Sequence, residues 1–220
     1  MRFLLILILI IASIAFGWLL KGSILLPQSN EETKVELKNR PLDKYTFDNL
    51  SKTAFKSGKF TIKDELSREK DFNSYTFEFE FNPSINTGEA LKKTTGQINL
   101  PQSIQNKNLP LIIMIRGYVD QEKYKTGDGT RHAANYFAKN GFITIAPDFL
   151  GFASSDNEAE NIFETRFQTY VTILSLLKTL ESLQNEPRLL EISPDIPNFN
   201  ELTKLLTNKL IQRVGGKVFK

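Results

Sequence analysis

Ser74 to Asn82, SYTFEFEFN, alternates without a break: Tyr75, Phe77, Phe79 and Phe81 fall on one side, Thr76, Glu78 and Glu80 on the other. A period of two means a strand with one buried and one wet face, as in an antiparallel sheet. Gly96 to Pro101 (GQINLP) offers the return strand. The pattern then changes. Leu111 to Ile115 is apolar throughout, and Phe142 to Ala146 is apolar except at Thr144, as in strands covered on both faces. Between them Thr130 to Asn140 predicts a helix, with Asp128 as its cap, Ala133, Ala134, Phe137 and Ala138 on its packed face and Gly141 as its stop. Strand, helix, strand at this spacing is a parallel, right-handed crossover. A further helix is predicted over Asn161 to Leu183, where Phe163, Phe167, Tyr170, Leu174 and Leu177 recur at helical spacing and are expected to lie against the sheet. The fold class that follows is α/β, an antiparallel hairpin leading into a parallel sheet with crossover helices.

The two ends read differently from this domain. Phe3 to Leu20, FLLILILIIASIAFGWLL, carries no charge over eighteen residues. As a helix it spans about 27 Å, close to a hydrocarbon core of about 30 Å. Bulky Phe16, Trp18, Leu19 and Leu20 stand where a cleavage site needs small residues, which favours an uncleaved anchor over a removed signal peptide. Residues 1–21 are thus read as a transmembrane signal anchor, 22–44 as a Pro-bounded polar linker, 45–183 as the domain and 184–220 as a helical tail. Tyr45 to Phe60 lacks a clear period and is expected to pack on the domain edge. In the tail, Leu202, Leu205, Leu206, Leu210 and Ile211 share one helical face, read as a core-packing helix in preference to a membrane-surface one. Arg2 ahead of the anchor, and Glu31, Glu32 and Glu36 among the lysines behind it, point to a membrane-anchored domain held outside the cytoplasm.

Composition removes several kinds of chemistry. A net charge of +3, with no basic cluster interleaved with aromatics, gives no reason to expect nucleic acid as a partner. With no cysteine there is no disulfide scaffold or thiolate nucleophile, and one histidine leaves little for imidazole ligation. A metal site would have to be built from carboxylates such as Asp148 and Asp156, which lack any ligand spacing. No metal or cofactor is expected.

In open α/β sheets ligands gather at the carboxyl ends of the strands, so the residues after Ile115 and Ala146 carry the interest. Gly117 can turn the chain there, and the N–H and phenol of Tyr118 could point at a bound oxygen, as oxyanion donors do in acyl transfer. Asp148 to Asp156, DFLGFASSD, follows the second strand. The order of hairpin, strand plus R-G-Y, helix ending N-G-F, and strand plus D-x-x-G-x-x-x-S-D resembles the α/β-hydrolase fold, most closely its prolyl-oligopeptidase-like peptidases and related esterases. That family writes the first turn as H-G or Y-G-Y and the second as D-x-R-G-x-G-x-S-D. The chain matches at Gly117, Tyr118, Asp148, Gly151, Ser155 and Asp156 and departs at Arg116, Leu150 and Ala153. The resemblance spans about Gly96 to Leu183 and rests on the ordered set rather than on any one motif. It implies that Tyr118 is the oxyanion-hole tyrosine and that Asp148 and Gly151 shape a turn without a catalytic role.

The resemblance also implies a serine in a G-x-S-x-G elbow, followed in the chain by an acid and a histidine. No G-x-S-x-G occurs here; in Gly151-Phe-Ala-Ser154-Ser155, Ala153 stands in the serine's place. The lone His132 precedes every candidate serine and falls on the solvated side of its predicted helix. Without an imidazole base a serine has no proton acceptor. The expectation is therefore a truncated, membrane-anchored serine hydrolase whose catalytic residues are absent from this chain. The small peptide or ester substrate of the complete protein is implied by resemblance only. The alternative is an anchored binding or scaffold domain derived from the same fold.

Overall fold

The computed structural model describes residues 40–85, 90–102, 109–183 and 185–196. The chain divides into compact units at Met1–Pro41 and Leu42–Lys220, and nearly all described residues belong to the second. The proposed anchor at residues 3–20, most of the linker and the apolar stripe from Leu202 to Ile211 lie outside the described residues. Among the described residues no helix is long and apolar enough to cross a membrane.

Six strands form one mixed sheet: β1 (Lys59–Arg68), β2 (Phe72–Phe81), β3 (Lys92–Pro101), β4 (Leu111–Ile113), β5 (Ile143–Pro147) and β6 (Leu190–Ile192), in the order β4-β5-β3-β2-β1-β6. The alternating stretch is β2 and the return strand is β3, paired antiparallel with Tyr75 opposite Ile98 and Phe77 opposite Gly96. Gly96 is required by packing, since a Cβ there would collide with the Phe77 ring and the Ala146 carbonyl. The hairpin joins β5 through an antiparallel β3–β5 ladder, and β4 lies parallel to β5 with Leu111 opposite Ile143. The fold is α/β, as the hydrophobic pattern predicts.

Two strands were not anticipated. In β1, Phe60 and Ile62 are fully buried, but register shifts on either side of Glu65 interrupt the alternation, and apart from the exposed Leu66 the remaining residues are charged or polar. A bulge adds a residue to one strand and so erases the period by which strands are read. The second is β6, inside the tail read as helical: a 3-10 turn at Pro187–Leu189 leads into Leu190–Ile192, which pairs parallel with β1. The Tyr45–Phe60 segment folds as a 3-10 turn at Asp43–Tyr45 and a short helix α1 (Phe47–Lys52) before entering β1.

The crossover helix is α2 (Arg131–Lys139). Gly141 ends it with φ of 86°, while Gly141 N–H bonds to Ala138 O and Phe142 N–H to Phe137 O. That pair of bonds is a Schellman closure, which needs a residue tolerant of the left-handed region. Two expectations are corrected. Asp128 does not cap the helix: its carboxyl accepts Lys125 N–H at 2.9 Å and pairs with Arg131, and Thr130 takes the cap position without a side-chain capping bond, its Oγ1 donating instead to Gly127 O. Ala133 is exposed, so the packed face is Ala134 and Ala138 with Phe137 half-buried.

The long helix is α3 (Ile162–Ser182), capped by Asn161, whose Oδ1 accepts from Phe163 N and Glu164 N at 2.9 and 3.2 Å. Its buried face is not the large-residue stripe. Gln168, Val171, Thr172, Ser175, Leu176, Thr179 and Leu180 are buried, whereas Phe163 and Tyr170 are 62% and 57% exposed. The threonine hydroxyls explain this. Thr172 and Thr179 donate to the carbonyls of Gln168 and Ser175, both at 2.7 Å, so their polar groups are satisfied within the helix. Thr179 Oγ1 also accepts from Gly58 N–H at 2.7 Å. The core lies on this side of the sheet, where Tyr45, Phe60, Phe77, Phe79, Phe81, Ile98, Ile143, Ile145, Val171, Leu176 and Leu180 form one cluster.

Candidate functional site

The carboxyl ends of β4 and β5 lie side by side, and each continues into an irregular turn. On the β4 side the ladder ends with Met114 N–H bonded to Ile145 O at 2.8 Å, followed by Ile115, Arg116, Gly117 and Tyr118. Gly117 has open space where a Cβ would stand and is not among the residues of positive φ, so local geometry does not demand glycine there. Tyr118 is 97% exposed.

On the β5 side the chain turns sharply. Phe149, Gly151 and Ala153 have φ of 71°, 80° and 51°. Positive φ is rare for a bulky residue such as Phe and costs on the order of 1–3 kcal/mol, so its surroundings must hold it. Asp148 does so. It is completely buried, and its carboxyl oxygens accept from Thr95 Oγ1 at 2.7 Å, Tyr124 OH at 2.7 Å, Thr126 Oγ1 at 2.9 Å and Gly127 N–H at 3.3 Å. Its own N–H donates to Thr95 O at 2.8 Å. Burial, then the neighbouring Asp148, push the Tyr124 phenol well above its ordinary value, so it stays a donor.

Arg116 couples the two turns. Its guanidinium donates to Asp148 O at 3.0 Å and to Gly117 O at 3.1 Å, and lies over the rings of Phe152, Tyr124 and Phe149 at 3.8, 5.0 and 5.4 Å. Among the described residues its buried Nε has no hydrogen-bond partner, and the surrounding rings offer a π-face in place of an acceptor. Further along, Ser155 Oγ accepts Thr95 N–H at 2.9 Å, and Asp156 accepts Lys93 N–H at 2.7 Å while returning its own N–H to Lys93 O at 2.8 Å. These contacts fasten the turn to β3.

The chemistry available here is positioning. Gly117 and Tyr118 stand at the strand end but in solvent, and Asp148, Gly151, Ser155 and Asp156 come together as a turn. Ala153 has left-handed backbone, yet the next helix begins only at Ile162, so this turn is not a strand-to-helix elbow. His132 is exposed on α2. Asp148 and Asp156 are engaged by protein donors, and no group of three potential ligands forms a metal cluster among the described residues. A cleft of about 170 Å³ lined by Thr53, Phe55, Lys56, Asn82, Ile85 and Ser175 shares no residue with the strand-end cluster. Sequence reasoning missed Tyr124, Thr126 and Arg116 as partners of Asp148. The available signal was the departure at Arg116, a long cationic residue beside a strand that ends opposite an aspartate.

No protein-family profile matches the chain. Nor does any curated protein. Among solved structures it is similar to a proposed hydrolase from Legionella pneumophila, at 14% identity over 58% of this chain and 43% of that one, with a TM-score of 0.33. It is also similar to the rice cell wall degrading esterase LipA from Xanthomonas oryzae, at 14% identity over 56% of this chain and 39% of that one, with a TM-score of 0.30. The chain spans less than half the length of either structure.

Proposed function

We propose that the domain is part of the catalytic sheet of a membrane-anchored serine hydrolase, a peptidase or esterase of the prolyl-oligopeptidase-like kind. In this reading Tyr118 supplies an oxyanion donor from the turn after β4, where the fold places one. The nucleophile elbow is not among the 220 residues, and neither is a histidine placed to serve it. The observation that carries the reading is the Asp148 turn. A buried carboxyl gathering four donors, with Ser155 and Asp156 fastening the same turn to β3, accounts for the D-x-x-G-x-x-x-S-D pattern residue by residue. The anchor is residues 3–20, the domain faces away from the cytoplasm, and the substrate of the complete protein is a small peptide or ester.

The test is genetic. Translating the DNA downstream of the Lys220 codon in every frame should yield a G-x-S-x-G followed by an acid and a histidine; their absence in all frames counts against the reading. The alternative, an anchored non-catalytic scaffold, is favoured by the full exposure of Tyr118, which leaves the strand end open for contact with another molecule. It predicts a cooperatively folding domain with no downstream catalytic sequence.

A further inference from the structure

Along α3, Ser175, Thr179 and Ser182 follow one another at intervals of four and three and so share one side of the helix. Two of these hydroxyls meet the chain that leads into β1. Thr179 Oγ1 accepts Gly58 N–H at 2.7 Å, and Ser182 Oγ accepts from Ser57 Oγ at 2.8 Å. The third is different. Ser175 is only 3% exposed, yet among the described residues its Oγ has no hydrogen-bond partner, whereas Thr172 and Thr179 donate back to helix carbonyls. Ser175 lines the cleft of about 170 Å³ instead. Hydroxyls enclosed to this extent are ordinarily bonded, and the cleft is the route by which an outside group reaches this one.

The other lining residues define what that group belongs to. Ala54, Phe55 and Ile85 give an apolar wall, and Lys56 is the only charged residue among the described ones that line the cleft. Lys56 has no ion pair among the described residues, and no carboxylate shares the lining, so an anion entering the cleft meets a cation and no like charge. The volume is close to the roughly 150 Å³ that accommodates a benzene ring.

We propose that the cleft binds a small monocarboxylate with a compact apolar body, about six to ten heavy atoms in all. The Ser175 hydroxyl and the Lys56 ammonium donate to the carboxylate, both as charge-assisted bonds, and the body lies against Phe55 and Ile85. A bare inorganic anion would leave the apolar wall in water, and a neutral ring would leave the two donors without their acceptor. The cleft lies beside the start of β1 and the end of β2, whereas the hydrolase reading continues the sheet beyond β4, separated from β2 by β5 and β3. The inference therefore does not depend on that reading.

The probe is benzoate, added to the full-length protein in detergent and followed by saturation-transfer NMR. Saturable binding with a Kd of about 0.1–1 mM is expected for so small a ligand. Ser175→Ala and Lys56→Gln should each weaken it about tenfold, with melting curves in the absence of benzoate showing that both variants are folded. Lys139→Gln, which removes a lysine of α2 outside the cleft, should leave it unchanged, and benzamide, of the same shape but uncharged, should bind about tenfold more weakly. The proposal is overturned by the absence of saturable benzoate binding up to about 10 mM. It is equally overturned if either folded variant binds benzoate as the wild type does, or if benzamide binds as well as benzoate.

Discussion

The two halves of the sheet share one apolar core but differ in what else holds them. Around β1, β2 and β3 the strands are ten residues long and locally connected, and their inward side chains are stacked aromatics: Phe60 on Phe77 at 4.5 Å and Phe79 on Phe81 at 5.2 Å. Around β4 and β5 the strands have three and five residues; Ile143 and Ile145 join the same apolar cluster, and the strand-end turns are held in addition by one buried carboxyl and one caged guanidinium. The first half relies almost wholly on apolar area, which is tolerant of small displacements. The second depends in addition on hydrogen-bond geometry, which is not. It is also the half that carries the strand-end turns, so precision is concentrated at the site of the proposed function.

Four substitutions probe that contrast. Phe77→Ala, in the aromatic half, should cost about 3–5 kcal/mol and unfold the domain as a whole, seen as a lower denaturant midpoint by every probe. Asp148→Ala should cost about 2–4 kcal/mol, because it strands the donors of Thr95, Tyr124, Thr126 and Gly127. Its signature is local: faster hydrogen exchange over residues 114–130 and 148–156, with β2 still protected. An equal loss of protection in both halves would erase the distinction between them.

Tyr124→Phe should cost about 1 kcal/mol and alter the alkaline limb. The raised phenol means that the unfolded chain loses its proton first as pH passes about 10, so wild-type stability is present below that pH and declines above it. The variant should lack this part of the decline. Smallest is Glu78→Gln, on the wet face of the aromatic half. Burial opposes ionisation of Glu78, but Lys93 and Lys63 outweigh it and hold its carboxyl below the usual range. That contribution is present above about pH 4.3 and is lost as pH falls through the folded value. Because the pairs are partly exposed, a slightly flatter acid limb, reduced further by salt, is all that is expected.

The same contrast explains what could be read from the residues. β2 was legible because its alternation reports burial on one face directly, and β5 because a strand covered on both faces is a short apolar run; β4 shows the same run but is only half-buried, as a strand at the sheet's edge. α2 ended where Gly141 requires it to. β1 was hidden by the register shifts around Glu65, and β6 by its three-residue length among prolines. The packed face of α3 was misjudged because Thr172, Ser175 and Thr179 count as polar in a pattern, whereas the threonines' back-bonded hydroxyls let that face pack inward. Of the strand-end cluster, Asp148, Gly151, Ser155 and Asp156 were visible as a motif. Their partners were not, since Thr95, Arg116 and Tyr124 are brought to Asp148 by β3 and the β4 turn across 53, 32 and 24 residues of chain.

The central claim is the proposal that this chain carries the scaffold of an acyl-transfer site without its attacking and proton-handling groups. Treating the full-length protein with a fluorophosphonate and mapping adducts by mass tests it most directly. No serine should be labelled above the level of the heat-denatured chain; stoichiometric labelling of a single serine in the folded protein would contradict the account.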